Sequence, residues 1–588
     1  MLLTTLIGLG IAAPLIISIS SDHITVSSSR LLAAPRDSVM ISSPAPLGQS
    51  KLLTIERGLL YPADSAGRAL ETPLTRPQLA SGNTRFVLEN ATLRIQSGSL
   101  EAGEGNSAAL IEAISAMQFE SLSLRKATVH VLLPDGRTET MTDIDGEISH
   151  RRKATLFVKG KGDLRGQRVK FDLSSGLLTD ARPGSTVPLK LSFQSSLIEA
   201  SFEGRVGLVG PVQLQGSIEF TAQGIRQIAR WFGSPWPAGN ELRNLSGQGQ
   251  LAWAGPAMAF NKGAFQLDGN QATGTLHLNF ANARPSIGGT LALKSLDLGR
   301  YFPSRAAPLP LIAGNTWKNL LTTDLTLPLA QHFDVDLRIS SDKVLLGNLQ
   351  FGRAAAAVTV SQGRMLADIG AFEFDGGRGN GQISADMSGS IPKLTLRGRL
   401  DEIDATRIST SLFGHPVLTG RATITTDLAS TGRTGDDLMA SSQGKLNIAI
   451  RAGGRLGVDV RGLATSTQKR TADGWGSAGR GQTTFDTLDA VFAVRAGALI
   501  ADNVSAKSGD ITTAISGQID MPTSRLNLSI VQSPTATSAV ATPTATPAKS
   551  GPTIQIFGPW SAPTVRNDGN RERAADPTRP ADGGPARL

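Results

Sequence analysis

Apolar residues fall on every second position over much of this chain. The runs GTLHLNF (274–280), KLTLRGRL (393–400), GKLNIAIRA (444–452) and RLNLSI (525–530) show it best. A period of two puts alternate side chains on opposite faces of a strand. Leu276, Leu278 and Phe280 then share one face, as do Leu291 and Leu293, Leu394 and Leu396, Leu446, Ile448 and Ile450, and Leu526, Leu528 and Ile530. Gly, Asp, Asn and Pro divide the runs, so the pattern predicts antiparallel strands joined by tight turns, with PDGR (134–137) as one such turn. Segment 84–104 reads as a hairpin-like pair of strands. Three short helices interrupt the pattern. They lie at 107–117 (Leu110, Ile111, Ile114 and Met117 on one face), at 224–233 (Ile225, Ile228, Trp231, Phe232) and at 404–413, where Asp404 is a candidate cap.

One stretch of this pattern occurs twice. Residues 264–298 and 371–405 carry matching landmarks at Asp268/Asp375, Gly274/Gly381 and Pro285/Pro392, each pair 107 residues apart (375 − 268, 381 − 274, 392 − 285). Repetition of a β unit implies a sheet grown by addition. The period is far longer than the roughly 20–29 residues of short-coil solenoids. Few helices are available to cover the apolar faces, so the sheet either closes as a sandwich or curls into a trough for hydrocarbon. The expected fold is mainly β: an elongated, curled antiparallel sheet forming a groove, with a few short helices and an N-terminal transmembrane helix. The candidate groove-lining residues are Leu276, Leu278, Phe280, Leu291, Leu293, Leu394, Leu396, Leu446, Ile448, Ile450, Leu526, Leu528 and Ile530.

Residues 2–20 are uncharged and about as long as a membrane helix requires. A cleaved signal peptide is the rival reading, with Ser18 and Ser20 as small residues before a cut. No Lys or Arg precedes Arg30, which is unlike a basic leader and suggests a start upstream of Met1. The layout is a membrane anchor at 1–22, a β region at 23–223, a repeat β region at 224–532, a low-complexity linker at 533–550, a terminal strand at 551–566 and a tail at 567–588.

Composition narrows the chemistry. The net charge of +9 is scattered, and only 5% of residues are aromatic, which argues against a nucleic-acid stripe with stacking platforms. The absence of cysteine excludes disulfides and thiolate metal sites. The six histidines are far apart, and His277 is the polar partner between Leu276 and Leu278. Asp334/Asp336 and Glu402/Asp404 read as solvated charges on a strand face. Gly377-Arg378-Gly379-Asn380-Gly381 lacks the final glycine of a dinucleotide loop and reads as a turn. Ser123-x-x-Lys126 and Ser466-x-x-Lys469 lack the companion motifs of Ser–Lys enzymes. No catalytic, cofactor or metal residue is assigned.

Several segments together resemble the AsmA family of bacterial envelope proteins: LSGQGQLAW (245–253), GAFQLDGNQATGTLHLNF (263–280), GKLNIAIRAGGRLGVDVRGL (444–463), SAKSGDITTAISGQIDM (505–521) and IFGPWSAPTV (556–565). The likeness covers about residues 225–566. It implies a protein held in the bacterial inner membrane by residues 2–20, with its body in the periplasm. It also implies a non-enzymatic role in outer-membrane biogenesis and lipid homeostasis, by binding or transferring phospholipid or another envelope lipid along an apolar groove. Other envelope proteins are further implied partners. A non-catalytic scaffold affecting outer-membrane protein insertion is the alternative.

Overall fold

A computed structural model describes residues 53–64, 68–69, 85–96, 120–132, 138–151, 155–177, 186–207, 213–231, 243–282, 284–301, 333–346, 349–413, 415–465, 471–475, 481–534 and 553–567. The expected anchor (2–20), helix 107–117, the 134–137 turn, Ser466–Lys469, most of the linker and nearly all of the tail lie outside these residues. Among the described residues no helix is long and apolar enough to cross a membrane. The fold is mainly β with a few short helices, and nearly all paired strands run antiparallel. The chain divides into two compact units, 1–292 and 293–588.

In the first unit, strand Leu53–Pro62 pairs with Arg85–Gln96, which in turn lies parallel to Ser121–Leu132. From there each strand is antiparallel to the one before it in sequence: Thr138–Arg151, Thr155–Leu164, Gln167–Leu177, Val187–Ser195, Ile198–Gly207, Gln213–Gln223, Asn244–Ala254, Ala257–Leu267 and Asn270–Asn279. Two-residue turns with both φ angles positive join several hairpins. Arg165–Gly166 (48°, 77°) and Asp268–Gly269 (49°, 88°) are examples, and this handedness matches the twist of the strands it joins. Gly274 faces strand Ser286–Leu293 so closely that a Cβ would strike the Thr290 carbonyl, and its φ of 154° also favours glycine.

The alternating inward side chains of this unit form one continuous core from Phe86 to Phe260. Helix Ile225–Trp231 buries Ile228 and Trp231 against it. The helix end is held by polar groups as well. The Trp231 indole Nε1 donates to the Leu164 carbonyl at 2.9 Å, and Arg165 Nη1 donates to the Trp231 carbonyl at 3.0 Å. The Arg165 Nε donates at 2.7 Å to Glu139, which is buried.

The second unit repeats the sequential pattern, with strands Asp334–Ser341, Ala354–Ser361, Arg364–Phe374, Gly377–Asp386, Lys393–Asp404, Leu418–Thr431, Gln443–Leu456, Thr487–Arg495, Ala498–Ser508, Ile511–Asp520, Arg525–Pro534, Ile554–Pro559 and Thr564–Asn567. Leu296–Asp297, Val344–Leu346 and Leu349–Phe351 form a separate small sheet. Helix Ala405–Phe413 follows Asp404, whose Oδ1 accepts from the Thr406 amide at 2.9 Å, as the capping reading expects.

The 107-residue period survives in three dimensions. Strands beginning at Ala257, Asn270 and Ser286 match strands beginning at Arg364, Gly377 and Lys393 (364 − 257, 377 − 270, 393 − 286). The turn Asp375–Gly376 (49°, 78°) reproduces Asp268–Gly269. Two sequence readings need correction. Arg85–Gln96 is one strand, in which Asn90 at φ 51° disturbs the alternation from within. Gly377–Gly381 is the start of a strand, and the turn is the Asp375–Gly376 pair before it. Gly379 lies beneath the ring of Phe372 on the neighbouring strand, and a Cβ there would push that ring aside.

Candidate functional site

The register of the second unit carries its inward apolar positions from strand to strand. Leu337 opposes Val358, which opposes Ala367, then Ile383, Leu396 and Leu428. These six side chains form one row across six strands, about 24 Å at roughly 4.8 Å per strand. None is buried: Leu396 is 37% exposed, and the other five are half-buried. The neighbouring inward positions Ile339, Ile369, Leu394 and Ile424 are also half-buried. A strip of aliphatic side chains that keeps water at its surface is an unfavourable arrangement unless something apolar covers it.

Further along the unit the same face is sealed. Leu488, Ala490, Phe492 and Val494 are buried, and a core containing Leu526, Ile530, Ile554, Ile556 and Val565 closes around Trp475 and Trp560. Phe413, at the end of helix Ala405–Phe413, meets both tryptophans edge-on, with ring centroids 6.2 and 6.0 Å away. The first unit shows a similar gradation. Its core is closed through Phe260, while Leu276, Leu278, Phe280 and Leu291 are half-buried.

The sequence-derived groove residues therefore divide. Leu276, Leu278, Phe280, Leu291, Leu293, Leu394, Leu446, Ile448 and Leu528 are half-buried, and Leu396 is exposed. Ile450 (0% exposed), Leu526 and Ile530 (both 4%) lie under packed side chains in closed cores. Alternation placed all of them on the inward side. It carried no information about what lies above each one.

The opposite face of the second unit is polar and charge-paired. Arg364–Asp386 (3.3 Å), Arg397–Asp427 (3.2 Å) and Arg399–Asp401 (2.8 Å) are examples. The Arg399 guanidinium holds the Asp401 carboxyl below the usual carboxylate range, and Arg451 does the same for Asp489. Exposed pairs of this kind add little stability, but they keep that face wetted. Some of the scattered basic residues are thus paired with carboxylates in place.

Where the strands end beside helix Ala405–Phe413, a shallow pocket of about 580 Å³ opens. Asp375, Gly376, Asp404, Arg407, Gly420 and Arg421 line it. Asp404 and Arg421 oppose each other in the strand ladder. Arg407 pairs with Asp375 Oδ1, while Arg421 donates to the Glu402 carbonyl at 2.6 Å. The Asp375 side chain is only 8% exposed, and among the described residues its buried Oδ2 has no hydrogen-bond partner. The sequence reading used Asp375 only as a repeat landmark. The signal it passed over is the same 107 offset at Asp297/Asp404 and Arg300/Arg407 (404 − 297, 407 − 300), which makes Asp-x-x-Arg part of the repeat.

Among the described residues no group of His, Asp or Glu is arranged to hold a metal ion. His277 is exposed, with Leu276 and Leu278 half-buried on either side of it. Lys126 sits at a register shift with φ 49°, so its spacing from Ser123 follows a distorted strand. Comparison with known proteins found no matching family model, no matching curated protein and no matching solved structure.

Proposed function

We propose that this chain is an AsmA-like envelope protein, tethered to the bacterial inner membrane by residues 2–20 with its body in the periplasm. It takes up the acyl chains of envelope lipid along a curled apolar groove and supports outer-membrane lipid homeostasis without chemistry. The observation that carries this reading is the row Leu337–Val358–Ala367–Ile383–Leu396–Leu428. It stays half-open while the same face of the same unit is sealed elsewhere. Each methylene removed from water there contributes about 0.8 kcal/mol, so a single acyl chain supplies ample affinity. The sequence resemblance and the repeat-built sheet support the same reading.

The test is native mass spectrometry of the full chain purified in detergent. Co-purifying phospholipid is expected, with less of it in Leu396→Glu than in wild type. Protein that stays lipid-free after exposure to phospholipid vesicles overturns the reading. A second reading, a scaffold acting on outer-membrane protein insertion through protein contacts, draws on the sealed cores of both units. It predicts envelope-protein crosslinks that Leu396→Glu leaves unchanged.

A further inference from the structure

We infer that the pocket at the strand ends of the second unit is a recognition site for a phosphoethanolamine head group. The inference rests on the lipid-binding reading and names the class of lipid. The pocket presents two guanidiniums, Arg407 and Arg421, and two carboxylates, Asp375 and Asp404, so its formal charge sums to zero while opposite charges stand side by side. Such a site suits a ligand that is itself neutral overall and internally charged.

Hydrogen-bond bookkeeping specifies the ligand further. Among the described residues, no donor reaches the buried Oδ2 of Asp375, and an unmatched buried carboxylate oxygen is costly. A ligand N–H or O–H entering the pocket that Asp375 lines would match it. Arg421 gives one N–H to a backbone carbonyl, and among the described residues no carboxylate pairs with it. Its planar fork is suited to a phosphate oxygen. A primary ammonium two carbons from a phosphodiester supplies both partners. A choline head carries the same charges but has no N–H to give Asp375. A glycerol head offers a hydroxyl without the positive charge.

The position fits an amphiphile. Phe374 immediately precedes Asp375, and its ring lies 4.9 Å from that of Phe351. From Asp375 the strand runs back six residues to half-buried Ile369 (375 − 369). That distance is about 20 Å at roughly 3.3 Å per residue. A head group held at the strand ends would send its chains toward the open strip.

The experiment incubates the full chain with vesicles of equal parts phosphatidylethanolamine, phosphatidylcholine and phosphatidylglycerol with matched acyl chains. Recovered protein is then analysed for bound lipid. Ethanolamine lipid is expected to exceed choline lipid by about tenfold. The variant D375N, which removes the acceptor that tells an ammonium with N–H groups from one without, should bring that ratio close to one. Asn is nearly isosteric with Asp and leaves no buried charge at this position, so this variant should keep the fold, to be checked by its melting curve. Equal recovery of the three lipids by wild type overturns the site and leaves lipid carriage standing. A ratio unchanged in D375N also overturns it. A calorimetric titration with water-soluble glycerophosphoethanolamine separates the two readings. Head-group binding that R407Q/R421Q abolishes, in a protein that retains no diacyl lipid, supports the site and sinks carriage.

Discussion

The indole of Trp475 donates its N–H to the backbone carbonyl of Trp560 at 2.6 Å, joining two buried residues that are 85 positions apart in sequence. Phe413 packs edge-on against both rings. This contact fastens the last strands of the second unit over its sealed core.

Trp475→Ala should therefore cost about 3–5 kcal/mol, as a large buried aromatic removed without collapse does. Trp475→Phe should cost about 1–2 kcal/mol, since it keeps most of the ring and orphans one carbonyl. Denaturant unfolding followed by circular dichroism measures both, and near-equal effects would show that the hydrogen bond dominates the packing.

Open and sealed parts of the inward face should respond differently to truncation. Ile450→Ala, at a residue with 0% exposure, is expected to destabilise by about 3 kcal/mol. Leu396→Ala, at 37% exposure, is expected to lose under about 1.5 kcal/mol. The same unfolding assay reads both, and similar losses would mean that Leu396 is covered in solution.

In the first unit, Arg165 joins buried Glu139 to the end of helix Ile225–Trp231. Arg165→Met leaves a buried carboxylate without its cation and should destabilise that unit by about 3 kcal/mol. Adding Glu139→Leu to Arg165→Met should recover part of the loss, because no lone charge then remains inside. A double variant less stable than Arg165→Met alone would contradict this account.

Five carboxyls of the second unit are held below the usual range. Glu373 is held by Arg353, Asp386 by the Ser388 hydroxyl, Asp401 by Arg399, Asp437 by the Thr434 amide and Asp489 by Arg451. A carboxyl whose folded value is depressed stabilises fully above the ordinary carboxylate range. That contribution is lost as pH falls through the depressed folded value. Thermal midpoints should therefore be level near neutrality and decline once the pH drops below the ordinary carboxylate range. Added salt should shrink the part due to the exposed arginine pairs. In Asp437→Asn, which weakens the Thr434–Asp437 capping box, the acid decline should be smaller.

Much of this architecture was legible in the sequence because the strand period and the turn chemistry are local. The Asp-Gly turns, the 107 offset and the Asp404 cap all follow from neighbouring residues. Arg85–Gln96 was misread because Asn90 adopts φ 51° inside a strand, and sequence alternation treats such a residue as a boundary. Gly377–Gly381 was misread because glycine in a turn and glycine beneath Phe372 look alike in one dimension. Ile450 and Leu396 occupy equivalent places in their local patterns. Only side chains brought from distant segments, such as Phe485 and Leu488 beside Ile450, separate a sealed position from an open one. The rim pocket was missed because Asp375 and Arg407 are 32 residues apart, and the repeated Asp-x-x-Arg does not say that the chain brings Asp375 to it.

Strands that pair mostly with their immediate successors also govern how this chain acquires its shape. Each hairpin can close with little loop entropy to overcome, and each finished strand then templates the next. The polypeptide can therefore assemble progressively from its leading end as it emerges. Contacts between distant segments must wait, and two of them are the parallel docking of Arg85–Gln96 on Ser121–Leu132 and the late clasp between Trp475 and Trp560. Slow phases in refolding should trace to those two events, and inserting or deleting one whole hairpin should leave the others able to zip.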